Sequence, residues 1–306
     1  MSDQSILPSW REGATRSTIL SFLDRVDEIP PSDRVAVFDN DGTMWAEKPN
    51  YTQLDFILLE LGKAVGEDPG LGDKPVYRAI LDGDKKTLAD MGLEQIGTSI
   101  LDLFAGITPE DFNAKVASFF ANEVHPERKV PYRRQRYQPM LELMEELRSR
   151  GFDFYLVSAG GAEFVRVVGE DFYGVKPEGV VGSQIDYELT RDADGEVRLL
   201  RTNQLVASGP NEGPGKPPNI QRILGRHPSV AGGNSAGDAE MLEYAMAHDG
   251  PSLAVLVNHD DGEREHAYES VAGTFAADES ITDTAARLGW TVISMKDDWS
   301  TVFAPS

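Results

Sequence analysis

The chain has 306 residues, 40% of them hydrophobic, enough for one large domain or two smaller ones around a sizeable core. Its formal charge of −22, from 29 basic and 51 acidic residues, repels phosphate backbones and anionic lipid, so neither nucleic acid nor membrane is an expected partner. There is no cysteine, which excludes disulfides, zinc thiolates and a cysteine nucleophile.

The N-terminal stretch MSDQSILPSWREGATRSTIL lacks the basic start and apolar run of a secretory signal. No stretch approaches the ~20 apolar residues of a membrane span. A cytoplasmic location is therefore expected. Residues 10–27 carry helical spacing in Ile19, Leu20, Phe22, Leu23 and Val26, and Pro30-Pro31 ends that helix. The run VAVF, Val35–Phe38, reads as a short strand buried on both faces, the kind found inside a parallel sheet. Two like charges, Asp39 and Asp41, follow it at once, before Gly42-Thr43.

The next hundred residues change character. YTQLDFILLELGKAVG, PVYRAILDGDKKTLADMG, LEQIGTSILDLFAG and TPEDFNAKVASFFANE all have helical patterns, and no convincing strand lies between Tyr51 and Tyr137. Thr108 before Pro109-Glu110 predicts a helix start. The whole block reads as a helical module inserted into a sheet domain. From Gln138 onward helix and strand take turns: a stripe of Met140, Leu141, Leu143, Met144 and Leu147, then FDFYLVS, AEFVRVVGEDFYG, SVAGG, AGDAEMLEYAMAH, SLAVLVN and WTVIS. That alternation predicts an α/β fold with a parallel sheet wrapped by helices. GSQIDYELTRDADGEVRLLRTN interrupts it as a predicted β-hairpin turning at Asp192-Ala193-Asp194-Gly195.

Ligands of open parallel sheets bind at the carboxyl ends of strands. Four such places carry chemistry: Asp39 to Thr43, Ser158-Ala159-Gly160-Gly161, the loop EGPGKPPNI with Lys216, and AGGNSAGDAEM with Asn234 and Asp238. Singly, each reads as a polar turn, a cap or a solvated lysine. Together they place two carboxylates, a hydroxyl, an ammonium and another acid on one rim. Those are the parts that phosphoryl transfer needs. A divalent cation between Asp39 and Asp41 would relieve their repulsion, and magnesium accepts a few hard oxygens with waters completing its shell.

In order and spacing these four stretches resemble the motifs of the haloacid dehalogenase superfamily, and within it the phosphoserine-phosphatase-like group. Asp39, Asp41 and Thr43 match its Asp-x-Asp-x-Thr, Ser158 its second motif, Lys216 its third, and Gly233-Asn234-Ser235-Ala236-Gly237-Asp238 its fourth. The resemblance implies a three-layer Rossmann-like core over residues 1–43 and 138–306. It also implies an inserted α-helical cap of C1 type over 44–137, and a small β-hairpin. The implied activity is magnesium-dependent hydrolysis of a small phosphate monoester through an aspartyl-phosphate. Asp39 would be the nucleophile and Asp41 the general acid, then base. Thr43, Ser158, Ala159, Gly160 and Lys216 would hold the phosphate, with Thr43 also orienting its loop. Asp39, Asp41, Asn234 and Asp238 would supply the metal site. The fourth motif departs from the pattern, with Asn234 where many relatives carry aspartate, and either Asn234 or Asp238 could be the direct ligand.

Asp41 argues against dehalogenase chemistry, which expels halide and needs no acid. A mutase or a non-catalytic protein on the same fold are the alternatives. Trp45, Glu47 and Lys48, where the chain leaves for the module, are candidates for substrate selection. The basic run ERKVPYRRQRY either draws anionic substrates or pairs with acidic neighbours. Oligomeric state is not legible.

Overall fold

The computed structural model describes residues 6–305, so the first five residues of the N-terminal stretch, and Ser306, lie outside it. The first helix, α1 (Ala14–Leu23), buries Ile19, Phe22 and Leu23, and is shorter than its 10–27 pattern because Val26–Glu28 tightens into a 3-10 turn. The predicted strand forms as β1 (Val35–Phe38). Its side chains alternate between two cores, as the period of a strand requires. Ala36 and Phe38 pack with Phe154 and Leu156 on one face, Val35 and Val37 with Val181 and Leu256 on the other. No solvent-facing side exists, which is why the run contains no polar residue.

Among the described residues no strand occurs between β1 and β2 (Asp153–Gly161). The interval holds α2 (Thr52–Glu67), α3 (Pro75–Asp82), α4 (Lys85–Met91), α5 (Leu93–Leu103), α6 (Pro109–Asn122) and α7 (Gln138–Ser149). The pattern that predicts one helix over 75–92 is broken in two at Gly83, which sits at φ +65°, and Asp84 caps the second piece by accepting from the Thr87 N–H. Thr108 does cap α6, accepting from the Asp111 N–H. The inserted helices have a small core of their own in Leu61, Val76, Tyr77 and Ile80. An aromatic joint ties them to the helix after β2, α8 (Ala162–Tyr173): Phe56 and Phe120 lie 5.5 and 5.4 Å from Phe164, and Trp45 lies 6.0 Å from Phe120.

Beyond α8 come β3 (Val180–Ser183), the antiparallel hairpin β4 (Ile185–Arg191) and β5 (Val197–Leu205), α9 (Lys216–Leu224), β6 (Val230–Gly233), α10 (Ala239–Met246), β7 (Leu253–Asn258), α11 (Ile281–Leu288) and β8 (Thr291–Ser294). The hairpin turns as predicted, with Asp192 Oδ1 accepting from the N–H groups of Asp194 and Glu196. A last short helix, α12 (Met295–Asp298), follows β8, and it, β3 and α11 carry no pattern legible in the sequence. The sheet runs β3-β2-β1-β6-β7-β8 with every pairing parallel. This is the expected α/β architecture, a helix-wrapped parallel sheet with a helical insertion and a small hairpin. Its consequence is local: β1 lies between β2 and β6, so Asp39, Ser158 and Asn234 emerge side by side at their carboxyl ends. Among the described residues no helix is long and apolar enough to cross a membrane.

Candidate active site

Asp39 remains tied to the sheet, its N–H donating to the Gly232 carbonyl of β6 at 2.9 Å. The chain then turns tightly. The Asn40 carbonyl accepts from the N–H groups of Thr43, Met44 and Trp45, and the His259 ring, through Nε2, donates to the Gly42 carbonyl at 2.8 Å. Gly42 adopts φ +74°, and a Cβ there would stand 2.1 Å from Asn234 Nδ2, so the turn tolerates only glycine. Asn40 is fully buried, and its side-chain amide has no hydrogen-bond partner among the described residues.

Lys216 enters as the first residue of α9, within the stretch EGPGKPPNI. Its ammonium is buried and donates to Asp39 Oδ1 at 2.8 Å, Asp238 Oδ1 at 2.5 Å and the Val157 carbonyl at 3.0 Å. An ammonium has three N–H donors, so all of them are engaged within the protein. Burial alone would lower its pKa, but the carboxylates of Asp238 and Asp39 outweigh burial and raise it. Asp238 is engaged on both oxygens. Its Oδ2 accepts from the N–H groups of Asn234 and Ser235, both at 3.0 Å, and from the Ser235 hydroxyl, closing a capping box. The amide of Asn234 accepts from the Thr43 hydroxyl at 3.2 Å, and its Nδ2 donates to Glu47 Oε1 at 3.3 Å and Ser270 Oγ at 3.2 Å.

Asp41 is oriented by Trp45, whose indole N–H donates to Oδ1 at 2.8 Å. Burial pushes the Asp41 carboxyl up to about 7; the Trp45 hydrogen bond opposes that rise and Glu47 adds to it. Asp39 is raised too, by burial first and the neighbouring Asp238 second, while Lys216 pulls it back. Ser158 Oγ accepts from the Gly160 N–H at 3.0 Å, and the Gly161 N–H donates to Gln53 Oε1 of α2 at 2.9 Å. This last bond joins the inserted helices directly to the end of β2.

These groups face one cavity of about 460 Å³ between the sheet end and the inserted helices. Asp39, Asp41, Ser158, Ala159, Gly160, Lys216, Asn234 and Asp238 all border it. Thr43 does not, being fully buried with its hydroxyl turned to Asn234. Of the three candidates for substrate selection, only Glu47 borders it. Trp45 is buried beside Phe120, Phe172 and Tyr173. Lys48 lies 4.5 Å from the Tyr268 ring and 5.7 Å from that of Tyr51. No member of the basic run 127–137 reaches the cavity; Arg128 stacks on Phe303 at 3.3 Å and Arg133 pairs with Asp171 at 3.7 Å. Sequence reasoning missed Gln53, His259 and Asn211, which donates to the Ser158 carbonyl at 2.9 Å. All three act across more than fifty residues of chain and carry no local signal.

Whether the site fits a divalent cation is a question of donors. Among the described residues no three His, Cys, Asp or Glu side chains converge closely enough to hold one by themselves. The donors bordering the cavity are instead hard oxygens of mixed kind, the Asp39 and Asp41 carboxylates and the Asn234 amide oxygen. Such a set suits magnesium, which keeps several waters. The raised carboxyls of Asp39 and Asp41 come from burial first, and the neighbouring carboxylates of Asp238 and Glu47 add to it, a pressure that a bound cation would relieve.

A family model described as haloacid dehalogenase-like hydrolase matches residues 36–243. Among solved structures, a protein of unknown function from Bordetella pertussis Tohama I aligns over 86% of this chain and 98% of its own, at 17% identity and TM-score 0.53. A functionally unknown protein from Anaerococcus prevotii DSM 20548 aligns over 80% of this chain and 86% of its own, at 16% identity and TM-score 0.50. A substrate-bound phosphoserine phosphatase aligns over 83% of this chain and 98% of its own, at 17% identity and a TM-score of 0.36. Likeness at these levels bears on the fold, the first two alone being close enough to carry that much. No curated protein matches the chain.

Proposed function

This chain belongs to the haloacid dehalogenase-like hydrolases, and from that premise we propose that it is a magnesium-dependent phosphatase acting on small phosphate monoesters. The observation that carries the reading is the pair at the end of β1. Asp39 is held on Lys216 at 2.8 Å, and Asp41, two residues on, has a carboxyl raised to about 7 and faces the same cavity. A carboxyl that protonates near neutrality suits a general acid.

In the first step the Asp39 carboxylate attacks phosphorus, the ester P–O bond breaks, and Asp41 gives its proton to the departing oxygen. The phosphoryl group is then carried on Asp39. In the second step Asp41 takes a proton from water as that water attacks phosphorus, the bond to Asp39 breaks, and inorganic phosphate leaves. Trp45 fixes one Asp41 oxygen so that the other is the one offered to the cavity. Ser158 and the turn after it border the place of the phosphoryl group, and Lys216 holds the nucleophile in position from behind. Magnesium, when bound, neutralises negative charge on Asp39 and on the phosphate oxygens. Asp39, the Asp41 carbonyl and Asn234 would hold it. Asp238 is left out of that set, because both its oxygens are committed to Lys216 and the capping box. The inserted helices act as the cap that encloses the leaving group. A cytoplasmic setting accords with the cysteine-free sequence.

Purified protein is expected to hydrolyse p-nitrophenyl phosphate with Mg2+ and to stop when a chelator is added. Turnover indifferent to the chelator counts against the reading.

A second prediction concerns the fourth motif. Asn234→Asp is expected to tighten Mg2+ binding by roughly tenfold, since affinity at such sites follows ligand charge. Without metal the same variant is less stable than the wild type, because a new carboxylate replaces the amide that donates to Glu47 and Ser270. Calorimetric titration and the metal-induced rise in melting temperature read both effects. An unchanged affinity would place Asn234 away from the ion.

A further inference from the structure

The cavity is larger than a phosphoryl group needs, and its outer part differs in kind from its floor. Away from Asp39 it is walled by Tyr51, Leu54 and Ile57 of the α2 end, Ile96 and Ile100 of α5, and Val271 of the loop before α11. Val271 is 67% exposed and borders the cavity from the loop side. Among the described residues Lys216 is the one lysine or arginine bordering the cavity, and its three donors are spent on Asp39, Asp238 and Val157. Besides Asp41, two further acids at the wall are also committed. Glu212 accepts from the Gly273 N–H at 2.6 Å and the Thr274 hydroxyl at 2.5 Å, and Glu47 accepts from Asn234.

A leaving group bearing a carboxylate or a second phosphate would therefore meet carboxylates and no free cation. One bearing many hydroxyls would lose its water to Leu54, Ile57, Ile96, Ile100 and Val271, which return no hydrogen bonds, while Gln53 and Thr274 beside them already bond to the Gly161 N–H and to Glu212. An apolar leaving group gains from the same walls.

We propose that the substrates of this site are phosphate monoesters of uncharged, apolar alcohols or phenols, selected by the aliphatic wall that α2, α5 and Val271 build over the reacting centre. This rests on the phosphatase reading above and adds the identity of the leaving group.

The test is a homologous series of n-alkyl phosphates from ethyl to hexyl, with 1-naphthyl phosphate, phosphoserine, phosphoethanolamine and glucose 6-phosphate alongside. Along the alkyl series the leaving oxygen keeps nearly constant reactivity, so kcat/KM reports the wall. It is expected to rise roughly threefold per methylene, somewhat below the full transfer value. Phosphoserine, phosphoethanolamine and glucose 6-phosphate are expected at least tenfold below butyl phosphate. Ile100→Asn should flatten the slope, lowering kcat/KM for hexyl phosphate several-fold more than for ethyl phosphate. The wild-type series decides the matter even should that variant not fold. A flat or falling series, or a preference for any of the three polar esters, overturns the proposal while the phosphatase reading stands. No hydrolysis of any ester, with Mg2+ present, overturns both.

Discussion

Asp39→Asn is expected to lower phosphatase turnover by about four orders of magnitude or more, the scale seen when an enzyme loses its nucleophile. An amide oxygen is too weak a nucleophile to displace an alkoxide from phosphorus. The fold should survive, because the amide oxygen can still accept from Lys216, and Lys216 keeps Asp238 and the Val157 carbonyl. Stability should even hold level. Asp39 is a buried carboxyl whose ionisation is disfavoured by burial and by Asp238, so removing its charge removes a repulsion together with an attraction. Two measurements check this. Steady-state assay beside a thermal melt separates loss of chemistry from loss of fold. Intact-mass spectrometry after a rapid acid quench should find one added phosphoryl group on the wild type and none on the variant. Activity above about one per cent of wild type would assign the nucleophile elsewhere, since removal of a true nucleophile leaves far less.

Lys216→Met should be costly in a different way. Methionine approximates the stem but not the charge. Asp39 and Asp238 would be left facing one another, buried at 7% and 1% exposure, without the ammonium between them. Stranding buried charges in this manner costs about 3–5 kcal/mol. Activity should fall as well, by about two to three orders of magnitude, as when a preorganised electrostatic group is removed. Urea unfolding measures the first effect. A second variant sharpens the argument: adding Asp238→Asn to Lys216→Met should restore part of the stability and none of the activity. A single-variant loss under about 1 kcal/mol would mean that the lysine does not hold the carboxylates of Asp39 and Asp238 together, because pairs of no structural weight fall in that range.

Much of this was legible in the sequence. VAVF followed by Asp39 declared both a strand without a solvent face and the end of it, because a doubly buried strand must be continuously apolar and its charges can appear only where it leaves the core. The alternation of helix and strand after Gln138 declared a parallel sheet, since parallel neighbours need a crossover. The helical insertion followed from periodicity alone. Local chemistry also placed Thr108 as a cap and the turn of the hairpin at Asp192.

What the sequence could not declare is which groups meet. β3 escaped notice because four residues with a glycine among them carry no pattern; Gly182 is there because a Cβ would stand 2.7 Å from the Ala162 backbone, a contact made only by folding. Trp45 looked like a residue facing substrate and is instead a buried ring that holds Asp41. Asp238 looked free for a metal and is occupied on both oxygens. The aliphatic stripes of α2 and α5 announced that Leu54, Ile57, Ile96 and Ile100 face inward, but a stripe says nothing about whether it meets another side chain or a ligand. By itself, then, the sequence determined the elements, their order and the strand ends where charge collects, since those follow from local periodicity and burial. The commitments of Lys216, Trp45 and Asp238, and the apolar roof over Asp39, were decided by the tertiary structure alone, because each is a contact between segments far apart along the chain.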